Sequence, residues 1–368
     1  MKPAPLLALL ALTLLPAAAA AQSDILWYSF DLGAQTRVVN KYVASKIAPP
    51  FGTIVSTNKQ AWAEGIFTSA LAGSDGPSAY NYVDSGWTGA LQGSFTVAWF
   101  MKRRTTLPNT LAYYFFSGEG SFRAFTSGAA GTGLNVSGYG SSTFLSLKAD
   151  IRTPAQSRWV HVALVVDDPK GTATYYVDGV AQPPITMPAK VSVPARANGF
   201  RVGAHTRLST TTFWDMDEFR LVNRAAPAAE VRAWAGVSLA YGNGCGATLA
   251  EGGSGGPSLG NAKFGLALTG ASSGSFILSL GRSATNLAGL PMPFDLGPFF
   301  APLQGCAWQS SLNIALAGGL DAQGKAAIPL PIPQDSSALG FRLFNQCLVA
   351  APGNIFQTSN GYLFTLVP

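Results

Sequence analysis

The sequence predicts an all-β protein built from two sandwiches. Three observations carry that prediction. The 368 residues include 41 Gly and 24 Pro but only 11% charged residues, a balance that suits many short strands joined by tight turns rather than long helices. β-like runs recur at regular spacing along the chain. The length exceeds one ordinary domain, and at 48% hydrophobic the chain can bury a sizeable core.

The elements follow in order. Residues 1–21 read as a signal peptide: Lys2 gives a positive start, Leu6 to Leu15 an apolar core, and Pro16 with its alanine run a small-residue cleavage site, with cleavage expected after Ala21. No cysteine marks a lipid anchor at that junction, and no later run is long enough for a transmembrane segment in the mature chain. Residues 22–236 hold the first sandwich. In "GSFTVAWFMKRR", Phe95, Val97 and Trp99 point one way and Thr96, Ala98 and Phe100 the other. "RWVHVALVVDD" is apolar on nearly both faces and reads as a central strand. "TATYYVDGVAQ" is a hairpin whose Asp178-Gly179 pair supplies positive φ, and Asp178 is assigned to its turn with no further role. "DMDEFRLVN" is the last strand. A short helix follows in "RAAPAAEVRAWAG", with Pro227 in its first turn and Gly236 as its stop. Residues 241–368, after a Gly-rich connection, hold a second, smaller β-sandwich of short strands interrupted by the Pro-rich "LPMPFDLGPFFAPLQGC".

Charge and cysteine usage narrow the function classes. The formal charge of +6 is carried by the first half, because Lys263, Arg282, Lys325 and Arg342 balance Glu251, Asp295, Asp321 and Asp335 after Tyr241. Apart from Lys102-Arg103-Arg104 the excess is scattered, so no nucleic acid partner is expected. It reads as a solvated face compatible with acidic polysaccharide or envelope surfaces. Of the three cysteines, Cys245 and Cys306 lie in Gly-flanked loops and are expected to form a disulfide, while Cys347 lies in an apolar strand and is expected to be a free buried thiol.

Four segments together resemble the laminin-G-like branch of the concanavalin A-like jelly-roll superfamily: "GSFTVAWFMK", "RWVHVALVVDDPKGTATYYVDGVAQ", "FRVGAH" and "WDMDEFRLVNRAAPAAEVRAWA". The resemblance implies a lectin/glucanase-type jelly roll over residues 24–236. It does not choose among carbohydrate binding, adhesion and hydrolysis, all of which that fold supports. The second half resembles a β-sandwich module at the tail of many bacterial exported proteins, through "YGNGC", "LGRS", "LPMPFDLGP", Gly305-Cys306, "GKAAIPLPIP" and "GFRLFNQ". That likeness implies an accessory role such as surface association.

The acids Asp215, Asp217 and Glu218 invite three readings. Glucanases on this fold carry Glu-x-Asp-x-Glu, or a bulged form one residue longer, on one strand. Aligned here, Asp215 and Asp217 take the first two places, and Phe219, or Arg220 in the bulged form, stands where the acid/base carboxyl is needed. Plain alternation places Asp215 and Asp217 on one face with Phe219 and Leu221, and Glu218 with Arg220. Calcium is the second reading, as possible cofactor, with Asp75, Asp84, Asp215 and Asp217 as candidate ligands near loops or strand ends. The third, favoured here, is a closing strand with structural acids and no catalytic residue.

His161 reads as a structural histidine with a hydrogen-bonded ring, and no His–Cys cluster points to zinc. Ligand-binding candidates are Trp62, Tyr80, Tyr82, Trp87 and Trp214, which lie near turns, and His205 at a strand end; Trp27, Trp99, Trp159 and Trp234 fit core positions. The expectation is a secreted or cell-surface, non-catalytic protein whose jelly-roll rim recognises a glycan or a cell-surface or matrix component. A glycoside hydrolase or polysaccharide lyase on the same fold, and a purely structural surface protein, are the alternatives. A second carboxyl or a Tyr–His pair beside Asp215 or Asp217 in a groove would favour the enzyme.

Overall fold

The computed structural model describes residues 24–31, 33, 35–42, 48–66, 69–76, 79–104, 113–118, 122–126, 134–137, 145–149, 151, 155, 158–187, 192–195, 199–205, 212–253, 256–299, 301–338, 340–353 and 355–367. The expected signal peptide and its cleavage site lie outside these residues. Among them, no helix is long and apolar enough to cross a membrane.

Two antiparallel sheets face each other in the first half. One runs in the order Val180–Ala181, Thr172–Val177, Val160–Asp167, Phe95–Arg103, Trp214–Val222, Ser69–Leu71, Trp62–Glu64, with Asp24–Tyr28 also pairing with Trp214–Val222. We call it the acid-bearing sheet. The other runs Leu145–Ser146, Leu134–Ser137, Arg123–Thr126, Tyr114–Gly118, Phe200–Val202, Asn81–Asp84, Phe51–Ser56, Arg37–Val39. Alternate residues fill the space between them: Phe95, Val97, Trp99 and Met101 with Val160, Val162 and Leu164 from one sheet, and Phe116, Ala124, Val136 and Val202 from the other. Aromatic residues dominate the centre, with Trp99 set edge-on to Phe116 at 5.9 Å and Phe116 5.4 Å from Phe200. This is the concanavalin A-like jelly roll.

The acid-bearing sheet is buried on its outer face as well, which is why its middle strands are apolar on both sides. Ala98, Ala163, Val165 and Val222 are covered by Val231 and Trp234 of the helix Ala228–Trp234. The helix ends where Gly236 turns left-handed at φ 68°. In the hairpin between Thr172–Val177 and Val180–Ala181, Asp178 and Gly179 both have positive φ, 48° and 77°, the geometry whose twist matches a two-residue turn.

The next strand, Ser238–Tyr241, already pairs with Gly361–Thr365 in a six-stranded sheet with Arg342–Ala351, Ser275–Gly281, Ile314–Gly319 and Ile355–Thr358. A three-stranded sheet, Thr248–Glu251, Gly265–Thr269 and Ala326–Pro329, packs on it. Leu249, Leu266, Leu268 and Ile328 meet Leu278, Cys347, Val349 and Phe364 in a second core. Cys347 is a buried free thiol, and burial pushes its pKa up to about 12, so it stays protonated and unreactive. Cys245 and Cys306 form a disulfide with Cα atoms 5.5 Å apart, tying the loop after Tyr241 to the Pro-rich segment. A disulfide fits an oxidising compartment.

Candidate functional site

The Trp214–Val222 strand does not alternate regularly. Asp217 lies opposite Phe100, but Arg220, three residues on, lies opposite Ala98, two residues back on the same partner, so one extra residue is accommodated. Glu218 takes up that residue at φ 50°. Such a bulge resets the faces. Trp214, Met216, Phe219 and Leu221 all point into the core between the sheets, and Asp215, Asp217 and Arg220 point outward. The expected sharing of a face by the two aspartates with Phe219 and Leu221 is therefore corrected: simple alternation has no way to register the inserted residue. The bulged register applies, and it sets Arg220 at the third position of the acid pattern.

Asp217 is fully buried. Its carboxylate accepts the N–H groups of Ile66 and Glu218, each at 2.8 Å. Gly65 lies so close that an added Cβ would meet the Asp217 Oδ2 at 2.7 Å. Burial, then the charge of Glu218, raises the Asp217 pKa well above the carboxylate range, against the pull of the two N–H donors. Asp215 accepts the Gly73 N–H at 2.7 Å and faces Arg104 at 3.4 Å, and its pKa is also raised, chiefly by burial.

A native pKa above the unfolded value means that the folded chain binds more protons between the two. Asp217 therefore contributes stability that is greatest below the unfolded carboxylate pKa and is lost as pH rises through the native one. Urea unfolding of the wild type is expected to show that decline from about pH 4 upward, and Asp217→Asn to show a shallower one. Superimposable pH slopes would contradict this.

The candidate ligand residues fall into separate places. Trp87, Trp214 and Tyr82 are 4%, 3% and 5% exposed, so none presents an open face; the expectation that they serve as ligand platforms is corrected for these three. Their nearness to turns in sequence says nothing about which way the ring points. Trp62 is half-buried against Phe30 at 6.4 Å. Tyr80 packs on Tyr82 at 6.0 Å, with the Arg201 guanidinium over the Tyr82 ring. His205 stands 4.6 Å from Tyr114 on the sheet that lacks the acids. Residues 105–112, 127–133, 138–144 and 206–211 lie outside the described residues.

The four aspartates do not make a calcium site. Arg104 lies between Asp75 and Asp215, at 3.1 and 3.4 Å, and supplies the positive charge there. Asp84 is on the opposite sheet, where its carboxylate accepts the Gly86 N–H. Asp217 is sealed. Among the described residues, no group of three or more His, Cys, Asp or Glu could hold a metal ion. His161 is buried with its ring 4.8 Å from Phe100, and its Nδ1 has no hydrogen-bond partner among the described residues. Burial and the charges of Arg342 and Arg220 keep it neutral.

The outer face of the acid-bearing sheet instead forms a cavity against the second sandwich. Its volume is about 600 Å³, within the range of ligand sites. Trp27, Trp234 and Tyr241 line it, with Glu218, Arg220 and Gln309 among its polar groups. The bulge builds its floor. Glu218 Oε2 accepts from Trp27 Nε1 at 2.7 Å and from Arg220 Nη2 at 2.8 Å. The Arg220 guanidinium lies 4.0 Å from the Trp27 ring and 5.4 Å from that of Trp234, joining the two indoles. Lys41, held by Asp31 at 2.7 Å, sits 4.9 Å over Trp27. Trp234 keeps its expected core place at 7% exposed and shows the cavity little of its ring, whereas Trp27, expected in the core, is only half-buried, and Tyr241 carries no local signal that joins it to Trp27 about 200 positions away. Neither Asp215 nor Asp217 lines this cavity.

Comparison with known proteins matches one stretch of the chain to a family. Residues 75–232 match the family described as the concanavalin A-like lectin/glucanases superfamily, so that stretch is a concanavalin A-like domain. The chain is similar to domain 4 of AbnA, a GH43 extracellular arabinanase from Geobacillus stearothermophilus solved with arabinotriose, at 20% identity over 58% of this chain and 99% of that one, TM-score 0.39. It is also similar to a SAP-like pentraxin from Limulus polyphemus (16% identity, 45% and 80% covered, TM-score 0.35). A third similar structure is the binding domain of botulinum neurotoxin serotype D/C (10% identity, 94% of each covered, TM-score 0.44). Comparison with curated proteins finds no match.

Proposed function

We propose that the protein is an exported, non-catalytic glycan-binding protein whose ligand sits in the cavity between the two sandwiches. The observation that carries this reading is the pair of half-buried rings Trp27 and Tyr241 on one cavity, with Glu218 fixing both Trp27 and Arg220 and the buried Trp234 backing Arg220. Sugar rings lay C–H faces on aromatic rings, while carboxylates, guanidinium and amide groups take their hydroxyls. Rigid indoles held by a buried ion pair need little reordering on binding. This moves the expected site from the jelly-roll rim to the seam.

Two features favour binding over bond-breaking. The third place of the acid pattern is Arg220, so no acid/base carboxyl completes it. Asp217 is closed off by Gly65 and Ile66, and Glu218, its charged neighbour, is engaged by Trp27 and Arg220. The second sandwich supplies one wall of the site, through Tyr241 and Gln309, in addition to any part in surface association.

A glycan array with the mature chain is expected to yield binders, and Trp27→Ala to weaken them by about 2 kcal/mol, roughly 30-fold in Kd, measured by calorimetry. Silence on the array, or undiminished binding by Trp27→Ala, would remove this site. Release of reducing ends from a bound polysaccharide, abolished in Asp217→Asn, would replace the reading with the hydrolase.

A further inference from the structure

A second cavity on the same seam has a different chemistry. It measures about 630 Å³ and is lined by Lys102 and Arg158 from the first sandwich and by Arg282 and Arg342 from the second, against one carboxylate, Glu64. Two cations from each sandwich thus face one space.

Their charges are under-compensated. Arg158 and Arg342 share a single carboxylate, Asp178, at 2.7 and 3.3 Å, and the same Asp178 also accepts the His161 N–H at 2.9 Å. The Arg342 side chain is only 9% exposed, and its buried Nε has no acceptor among the described residues. Burial, with the repulsion of Arg158, outweighs Asp178 and lowers the Arg342 pKa to about 10. Arg282 lies 4.9 Å over the Phe341 ring. Among the described residues, neither Arg282 nor Lys102 makes an ion pair. Glu64 is taken up by the Thr285 hydroxyl at 3.2 Å. Gly340, at φ 77°, makes room for the cluster: a Cβ there would stand 2.7 Å from the Arg158 Cζ.

A solvated charged face would leave these side chains extended in water. Here one guanidinium is nearly buried beside another with half a counter-charge each. Guanidinium forks match the paired oxygens of carboxylate, sulfate and phosphate groups, and a flanking ammonium adds a point charge.

We propose that this cavity is an oxyanion-binding site, made for an anionic substituent of a polysaccharide: the carboxylate of a uronic acid, or a sulfate or phosphate ester. The site stands apart from the aromatic cavity and uses none of the residues lining it, so either can fail alone.

The test titrates the mature chain with sodium glucuronate, sodium sulfate and sodium phosphate, each against sodium chloride at equal ionic strength, and reads Tm and calorimetric Kd. At least one oxyanion is expected to give a saturable Tm rise that chloride does not. The double variant Lys102→Ala/Arg282→Ala is expected to weaken that binding at least tenfold while keeping the wild-type far-UV spectrum. A response to glucuronate alone identifies the uronate source, and a response to sulfate or phosphate the ester. Tm shifts no larger than those of chloride for all three, or binding that survives the double variant unchanged, would overturn the proposal.

Discussion

Replacing Asp178 by alanine is expected to destabilise the protein by about 3–5 kcal/mol, the cost of removing one partner from a buried charge cluster. Asp178 accepts from Arg158, from Arg342 and from the His161 N–H, so the substitution leaves a nearly buried guanidinium and a strand N–H unpaired. It also puts alanine at φ 48°, a left-handed position that aspartate tolerates better. Arg342 belongs to the second sandwich, so the loss also loosens the seam: its guanidinium binds the Trp159 carbonyl and lies 5.0 Å from the Phe100 ring. Equilibrium urea unfolding is the measurement. The double variant Asp178→Ala/Arg342→Met is expected to recover part of the loss, because it no longer buries an unpaired charge. A cost below about 1 kcal/mol for the single variant would mean that the cluster behaves as an exposed pair.

Opening the Cys245–Cys306 disulfide is expected to cost nearly as much. It closes a loop of 61 residues, for which loop-closure entropy in the unfolded chain gives roughly 4 kcal/mol at 25 °C. The loss is expected in the second sandwich, whose Pro-rich segment would no longer be tied to the loop after Tyr241. Denaturant unfolding of Cys245→Ala/Cys306→Ala against wild type checks the size. Thiol labelling of the native protein checks the pairing: Cys347, fully buried, is expected to react only after unfolding. A stability change under 1 kcal/mol, or rapid labelling of Cys347, would contradict it.

The strands were legible where both local signals agreed. "RWVHVALVVDD" is apolar on two faces because it lies between two cores, and the Asp178-Gly179 turn announces its hairpin. The site was not legible in the same way. A bulge is one residue of extra chain, and Glu218 carries no glycine or proline to mark it. Trp27 looks like a core aromatic until the second sandwich stands opposite it with Tyr241, while Trp234 is the core residue its position suggests. Asp178, read as a turn residue, also bridges two arginines on different sandwiches, and only packing can show that.

The sequence by itself determined an all-β chain, the hairpin and the short helix, because each depends on residues that are neighbours or on turn chemistry with a single preferred geometry. Tertiary structure alone decided which face the acids of the last long strand present, that Arg220 and not Phe219 completes their row, and that the outer sheet face meets a second sandwich across two cavities. Those outcomes depend on pairing register and on contacts between distant segments, which local periodicity does not encode.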